Sequence, residues 1–356
     1  MCGIVGYNNN FVSMSTSEVE DTLASNYTTG HWTNCENINK HKYSPDLKHS
    51  ANRNKGSKMN ILNFVQKENY YVLVDKIFQE ILKTKIINYS KMAQLIGTSR
   101  ITMSRILNVE NYWIHLLDIV NICKLLRISN RKLTKNVLKI KTKNSFPTAI
   151  KYFNLNRQLA RVLGHILGDG GIHIIKAENK YRAFYVNNDR HLLARFKSDI
   201  THLFGDVKIY FREREEHGDE FWLSSTIGYI FYKLLEYDKY TEKRVPSIIK
   251  DSYDHNIYSA FLQALYDDEG SVYPTKYMVI IGLANYNLLN DIRELIIKMG
   301  IKPNNILICK SKTRTTMYTF SITSRENIYN FRERINFSHP TKRKKLTKLL
   351  KRYKNR

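Results

Sequence analysis

The feature that most constrains this chain is a duplication. "LGHILGDGG", residues 163–171, is echoed about a hundred residues later by "FLQALYDDEGS", residues 261–271. Behind the first copy come strand-like "RAFYVNND", helix-like "RHLLARFKSDITHLFG", strands "VKIYFRER" and "FWLSST", and a helix "IGYIFYKLLE". Behind the second come "YMVIIGLAN", "YNLLNDIRELIIKMG", "NILICKSKTR", "MYTFSIT" and "RENIYNFRERI". Helical and period-two spacings alternate in the same order both times, so each copy reads as motif helix, strands, helix, strands, helix.

Gly164 and Gly168 lie four apart inside the first apolar helix, where each costs roughly 1 kcal/mol of propensity relative to alanine. Such positions imply that another backbone approaches too closely for side chains. The helix ends pose a second question. Asp169 precedes Gly170, and Asp267, Asp268 and Glu269 precede Gly270, so acids stand where the helix dipole is already negative. They call for a cation, and a divalent metal is the economical answer. If the two helices pack through Gly164, Gly168 and Ala264, their acidic ends converge. Paired carboxylates with few other ligands suit Mg²⁺, which keeps several waters and takes further oxygens from a phosphate. Metal-assisted phosphodiester hydrolysis is the chemistry implied. The plain alternative makes Gly170 and Gly270 ordinary helix C-caps with solvated acids beside them.

Charge points the same way. Lys and Arg number 57 against 32 Asp and Glu, a formal net charge of +25, which suits a nucleic acid. No run approaches the roughly 18 apolar residues of a spanning helix, and the first residues lack a signal peptide's pattern. A soluble, cytoplasmic protein with no membrane partner is expected. Cys2, Cys35, Cys123 and Cys309 have no CxxC spacing, and His31, Cys35, His41 and His49 form only a loose group without a complete zinc pattern.

The two motifs resemble the paired signatures of LAGLIDADG homing endonucleases, in the glycine-rich DOD-type form common among archaeal and intein-derived members. The resemblance covers roughly residues 153 to 356. It implies two pseudo-symmetric αββαββα halves in one α+β chain, over residues 153–250 and 251–340, with the signature helices at their interface. Carried over, Asp169 and Glu269 become the acids that bind the catalytic metals, Mg²⁺ or Mn²⁺, beside Gly168 and Asp268. A monomer would then cut both strands of a long double-stranded DNA site. Leu167 replaces the family's first Asp; in the second motif Ala264 stands for Gly, Asp268 for Ala and Glu269 for Asp. A basic residue near each site commonly assists in this family, and Lys342 in "SHPTKRKKL" is the candidate. An intact intein is disfavoured, because the sequence ends "KRYKNR" rather than in His-Asn before a nucleophile.

"VKIYFRER" alternates Val207, Ile209 and Phe211 with Lys208, Tyr210, Arg212 and Arg214, a strand with one dry face and one suited to DNA. In the second half Lys310, Lys312 and Arg314 share one side, as do Thr319, Ser321 and Thr323. The tail, residues 341–356, is strongly basic and reads as phosphate-contacting.

Upstream, residues 1–69 are polar and expected to be poorly ordered. Residues 70–138 carry helical spacing and form an all-α domain, and 139–152 read as a linker. "YSKMAQLIGTSRITMSRILN" resembles the helix-turn-helix of phage-repressor-like domains. Ala93, Met103 and Ile106 would be its core, and Arg100, Thr102 and Arg105 would face the major groove. "MCGIVGY" resembles the start of class II glutamine amidotransferases, where Cys2 would be an N-terminal nucleophile, but the likeness stops after those residues. The rival to the enzyme is a binder that does not cleave: an intron maturase with intron RNA as partner, or a repressor acting through the helix-turn-helix.

Overall fold

The computed structural model describes residues 59–143, 145–149, 152–213, 218–237, 242–310 and 316–354. The amidotransferase-like start with Cys2, the His31/Cys35/His41/His49 group, Arg214, Lys312 and Arg314 lie outside the described residues.

The upstream unit is not all helical. A three-stranded antiparallel sheet has β2 (Tyr70–Val74) at its centre, between β3 (Ile114–His115) and β4 (Val137–Thr142). Five helices accompany it: α1 (Lys76–Lys85), α2 (Tyr89–Ile96), α3 (Arg100–Asn108), α4 (Leu116–Leu125) and α5 (Asn130–Asn136). "YYVLV" is too short and too evenly apolar for periodicity to distinguish a strand from a helix. Its pairing with β4, more than sixty residues away, decides the matter. The segment 139–152 is accordingly not a free linker: β4 occupies its start, Ile140 bridges to Thr148, and β5 (Tyr152–Phe153) pairs with β1 (Met59–Asn60). Residues 59–69 are likewise ordered, with Ile61, Leu62 and Val65 buried in the core.

Both halves have the expected order. The first runs α6 (Arg157–Leu167), β6 (Gly170–Ile175), β7 (Lys180–Asn187), α7 (Arg190–Phe204), β8 (Ile209–Arg212), β9 (Asp219–Leu223) and α8 (Ser225–Leu234). A short α9 (Ser247–Lys250) leads to the second: α10 (His255–Glu269), β10 (Gly270–Tyr273), β11 (Met278–Leu283), α11 (Tyr286–Lys298), β12 (Leu307–Lys310), β13 (Thr316–Ile322) and α12 (Arg325–Arg334). Strand orders match, β6-β7-β9-β8 and β10-β11-β13-β12. Asn156, Asp189, Asp254 and Asn285 cap the starts of α6, α7, α10 and α11 by accepting main-chain N–H groups.

The basic tail is a helix, α13 (Pro340–Lys354), with Leu346, Leu349 and Leu350 buried and Arg343, Lys344, Lys345 and Lys348 exposed. No helix among the described residues is long and apolar enough to cross a membrane. The upstream unit docks on the first half through Tyr70 against Tyr229 (6.2 Å) and Phe64 against Phe153 (5.3 Å).

Candidate active site

The site forms where α6 and α10 lie side by side. A Cβ on Gly164 would sit 2.7 Å from Phe261 O and 2.8 Å from Ala264 Cβ, and one on Gly168 would sit 2.6 Å from Asp268 Oδ2. Gly164, Gly168 and Ala264 are thus the contact positions, and glycine is needed there for space. The exits are not left-handed C-caps. Gly168 has φ −76° and Gly270 φ −87°, and the chain turns directly into β6 and β10. A Cβ on Gly170 or Gly270 would instead meet its own helix, 2.8 Å from His165 O and 2.7 Å from Tyr266 O. Of the acids beside them Asp267 and Asp268 are buried, and Asp169 and Glu269 half-buried.

Three consecutive acids face three environments. Asp267 Oδ1 accepts from Ser338 N and His339 N, both at 2.9 Å, and so anchors the start of α13. Asp268 turns toward the first half, accepting from Tyr185 Oη at 2.8 Å and lying 3.0 Å from His165 Nδ1. Burial pushes this pair toward neutrality, His165 down to about 4 and Asp268 up to about 8. Asn187 extends the network, donating to Asp169 Oδ2 at 3.0 Å and to Tyr185 Oη at 3.2 Å. Both Asp268 carboxyl oxygens thus have partners in the first half, His165 and Tyr185.

Asp169 and Glu269 are the acids left to the site. Burial, then the charge of Asp268, pushes Asp169 up to about 7; burial, then the charge of Asp169, pushes Glu269 up to about 8. Glu269 Oε2 is buried with no hydrogen-bond partner. An orphaned carboxylate oxygen beside a second carboxylate fits a hard divalent cation. Among the described residues no three His, Cys, Asp or Glu side chains converge as a cage, so such an ion would draw its other oxygens from outside the side-chain set.

Two lysines answer the dipole at the helix ends. Lys342 Nζ donates to Asp267 O at 2.7 Å and Asp268 O at 3.2 Å, and Lys243 Nζ donates to Leu167 O at 3.2 Å. Leu167 and Asp267 are equivalent positions of the two motifs, so the lysines are related by the duplication. Burial lowers both pKa values, against the raising pull of the surrounding acids. Sequence reasoning missed Lys243. Its one signal was a position relative to Asp169 close to that of Lys342 relative to Glu269. Each lysine loop is tied to the opposite half: Arg244 Nε and Nη2 donate to Asp291 of α11 at 2.8 Å, and Arg195 of α7 bonds Ser338 Oγ.

Residues 256–336 match the LAGLIDADG-like domain. No curated protein matches the chain. Among solved structures, the homing endonuclease I-DmoI in complex with DNA and Ca is similar at TM-score 0.41 and 21% identity, covering 54% of this chain and 98% of that one. I-DmoI in complex with DNA and Mn gives 0.40 and 23%, over 51% and 97%. Full-length DUF199/WhiA from Thermatoga maritima gives 0.38 and 15%, over 55% and 60%.

In the second half the expected reading strand β12 ends at Lys310, and Thr319 of β13 is buried beneath Cys309 (3.7 Å) rather than facing outward. Ser321 stays half-exposed and accepts from Asn304 Nδ2 at 2.9 Å. In the first half Lys208, Tyr210 and Arg212 are exposed on or beside edge strand β8. Phe211, expected on the dry face, is 52% exposed, because β8 has a neighbour on one side only. In the upstream unit Gly97 (φ 74°) separates α2 from α3, whose Ser99 cap accepts from Thr102 N at 3.0 Å. Ala93, Met103 and Ile106 are buried there, while Arg100 and Arg105 are exposed and Thr102 is half-exposed.

Proposed function

We propose that this protein is a site-specific endonuclease that cuts both strands of double-stranded DNA, one acid of each half serving one strand. The reading rests on the meeting of Asp169 and Glu269 at the glycine-packed ends of α6 and α10, with Glu269 Oε2 buried and unpartnered. These two carboxylates would hold the divalent ion, Mg²⁺ with Mn²⁺ as substitute; when bound it supplies an activated water and charge stabilisation at the leaving oxygen.

The remaining work falls to the chain itself. Lys243 and Lys342 hold positive charge at the ends of the two helices, where a scissile phosphate would gather negative charge. The His165–Asp268–Tyr185 network crosses the interface and fixes the separation of the halves; through Asn187 it also orients Asp169. Lys208, Tyr210 and Arg212 contribute to the DNA face of the first half, and Lys310, Lys312 and Arg314 to that of the second. The α2–α3 pair lengthens the site by placing Arg100, Thr102 and Arg105 in an adjacent major groove. A single chain suffices, since both acids are present in it.

The test is incubation with Mg²⁺ and duplex DNA carrying the uninterrupted amidotransferase-like coding start, beside Asp169→Asn and Glu269→Gln. A discrete double-strand cut, absent in both variants and in EDTA, is expected. Tight binding of that DNA by the wild type without any cut would overturn the enzyme in favour of a non-cleaving binder, a maturase or a repressor.

A further inference from the structure

The two halves share a fold but not a face. In the first half the register sets Phe184 of β7 opposite Trp222 of β9, and Trp222 opposite Tyr210 of β8. Directly paired residues share one face of a sheet, so the three rings form a row across it. Phe184 and Trp222 lie with centroids 4.8 Å apart and planes tilted by 35°. Phe146, from the segment leaving β4, meets Tyr210 at 6.3 Å and carries the row past the sheet edge. Phe146 is 49% and Tyr210 41% exposed. Residues of alternate register, Tyr185, Phe221 and Leu223, supply the buried face, Tyr185 packing on Phe196 of α7 at 4.8 Å. In the second half Ile280 and Ser321 stand at the positions of Phe184 and Trp222, with Asn304 bonded to Ser321. The duplication therefore does not demand aromatics there.

Duplex DNA presents base edges and phosphates, and its π-faces are hidden in the stack. A ring row offers little to base edges and much to unstacked bases. Cations accompany it: Lys208 Nζ lies 3.8 Å over the Phe146 ring and 4.9 Å over Tyr210, and Arg212 and Arg182 are exposed on the same face. That combination, rings with interleaved positive charge on a chain of net charge +25, fits a phosphate-linked strand of unpaired bases.

We propose that the row Phe184–Trp222–Tyr210–Phe146 is a stacking platform for unpaired bases of single-stranded DNA. DNA is the source because the face is continuous with the strand residues assigned above to the DNA target; in that respect it rests on the proposed function. The second half reads its side by hydrogen bonding, and the first half holds a locally opened strand.

Anisotropy of labelled oligo(dT) of about 12 nucleotides, in EDTA, tests this with the full chain. The same strand annealed to its complement and an oligo(U) of equal length are the comparators. Phe146 is exposed and lies outside the residues assigned to the duplex, so Phe146→Ala retains folding, which is checked by thermal melting; Ser321→Ala is the second-half control. Removing the Phe146 ring is expected to weaken oligo(dT) binding about tenfold, with duplex binding changed by less than about twofold, and Ser321→Ala is expected to leave oligo(dT) binding unchanged. Equal losses on duplex and single strand, or no loss, would overturn the platform, and tighter binding of oligo(U) than of oligo(dT) would overturn the assignment to DNA. Neither metal nor target site is present, so failure to cut DNA leaves this result standing, and failure to stack leaves the acid site untouched.

Discussion

Replacing Gly164 separates packing from helix propensity, because the two predict opposite orders. Propensity alone ranks Ala above Val above Gly, alanine gaining about 1 kcal/mol over glycine. In this interface a Cβ at position 164 lies 2.7 Å from the Phe261 carbonyl oxygen and 2.8 Å from Ala264 Cβ, whereas ordinary contact begins at 3.4 Å. Helices α6 and α10 must therefore part by about 0.6–0.7 Å, enough to forfeit a quarter to a half of each well along the contact. Overpacking of this kind costs roughly 1–3 kcal/mol. For alanine the net is about 0–2 kcal/mol of destabilisation; valine adds two methyls with a smaller propensity gain and reaches about 2–3 kcal/mol. Urea unfolding followed by circular dichroism should give Gly above Ala above Val, with the valine melting temperature lowered by roughly 5–10 °C. Adding Ala264→Gly should restore only part of the loss, since the Phe261 oxygen is main chain and cannot be trimmed. A valine variant as stable as the wild type would show that the helices are not in backbone contact.

Two further perturbations address the charges. Glu269, pushed up to about 8 from 4.5, keeps in the fold a proton that the unfolded chain has released, so the metal-free protein should lose stability as pH rises from about 4.5 to 8 and level off above. Asp169 and Asp268 share this window, so Glu269→Gln should reduce that slope without abolishing it, which denaturation midpoints in EDTA across this range will read; an unchanged slope would show that Glu269 does not carry the shift. Asp291→Asn should release the loop bearing Lys243 and raise labelling of that amine by an acylating reagent about tenfold while leaving Lys342 protected, as measured by peptide mass spectrometry. Equal rises at both lysines, or none, would refute the anchoring role of Asp291.

Much of the architecture was legible because it is local. The spacing of Leu163, Gly164 and Gly168 belongs to one helix face, and the strand and helix periods after each motif reproduce the observed order in both halves. The acids before Gly170 and Gly270 were visible for the same reason. What stayed hidden depends on pairing across the chain. The sheet around β2 forms only when Val72 meets Ile140. Lys243 becomes a site residue only because Asp291, in the opposite half, holds Arg244. Phe146 looked like part of a basic linker until it met Tyr210 and Lys208.

The triplet Asp267-Asp268-Glu269 marks the boundary. By itself the sequence determined that three carboxylates crowd the end of an apolar helix beside a glycine, in a chain whose charge suits nucleic acid. Consecutive helical residues project about 100° apart, so one short stretch must face three surroundings, and those surroundings come from distant segments. Packing sent Asp267 to the start of α13 and Asp268 to His165 and Tyr185, and left a Glu269 oxygen buried without a partner. Which acid is free to hold a cation is thus a property of the assembled neighbours, because burial and hydrogen bonding, not residue type, decide where a carboxylate is committed.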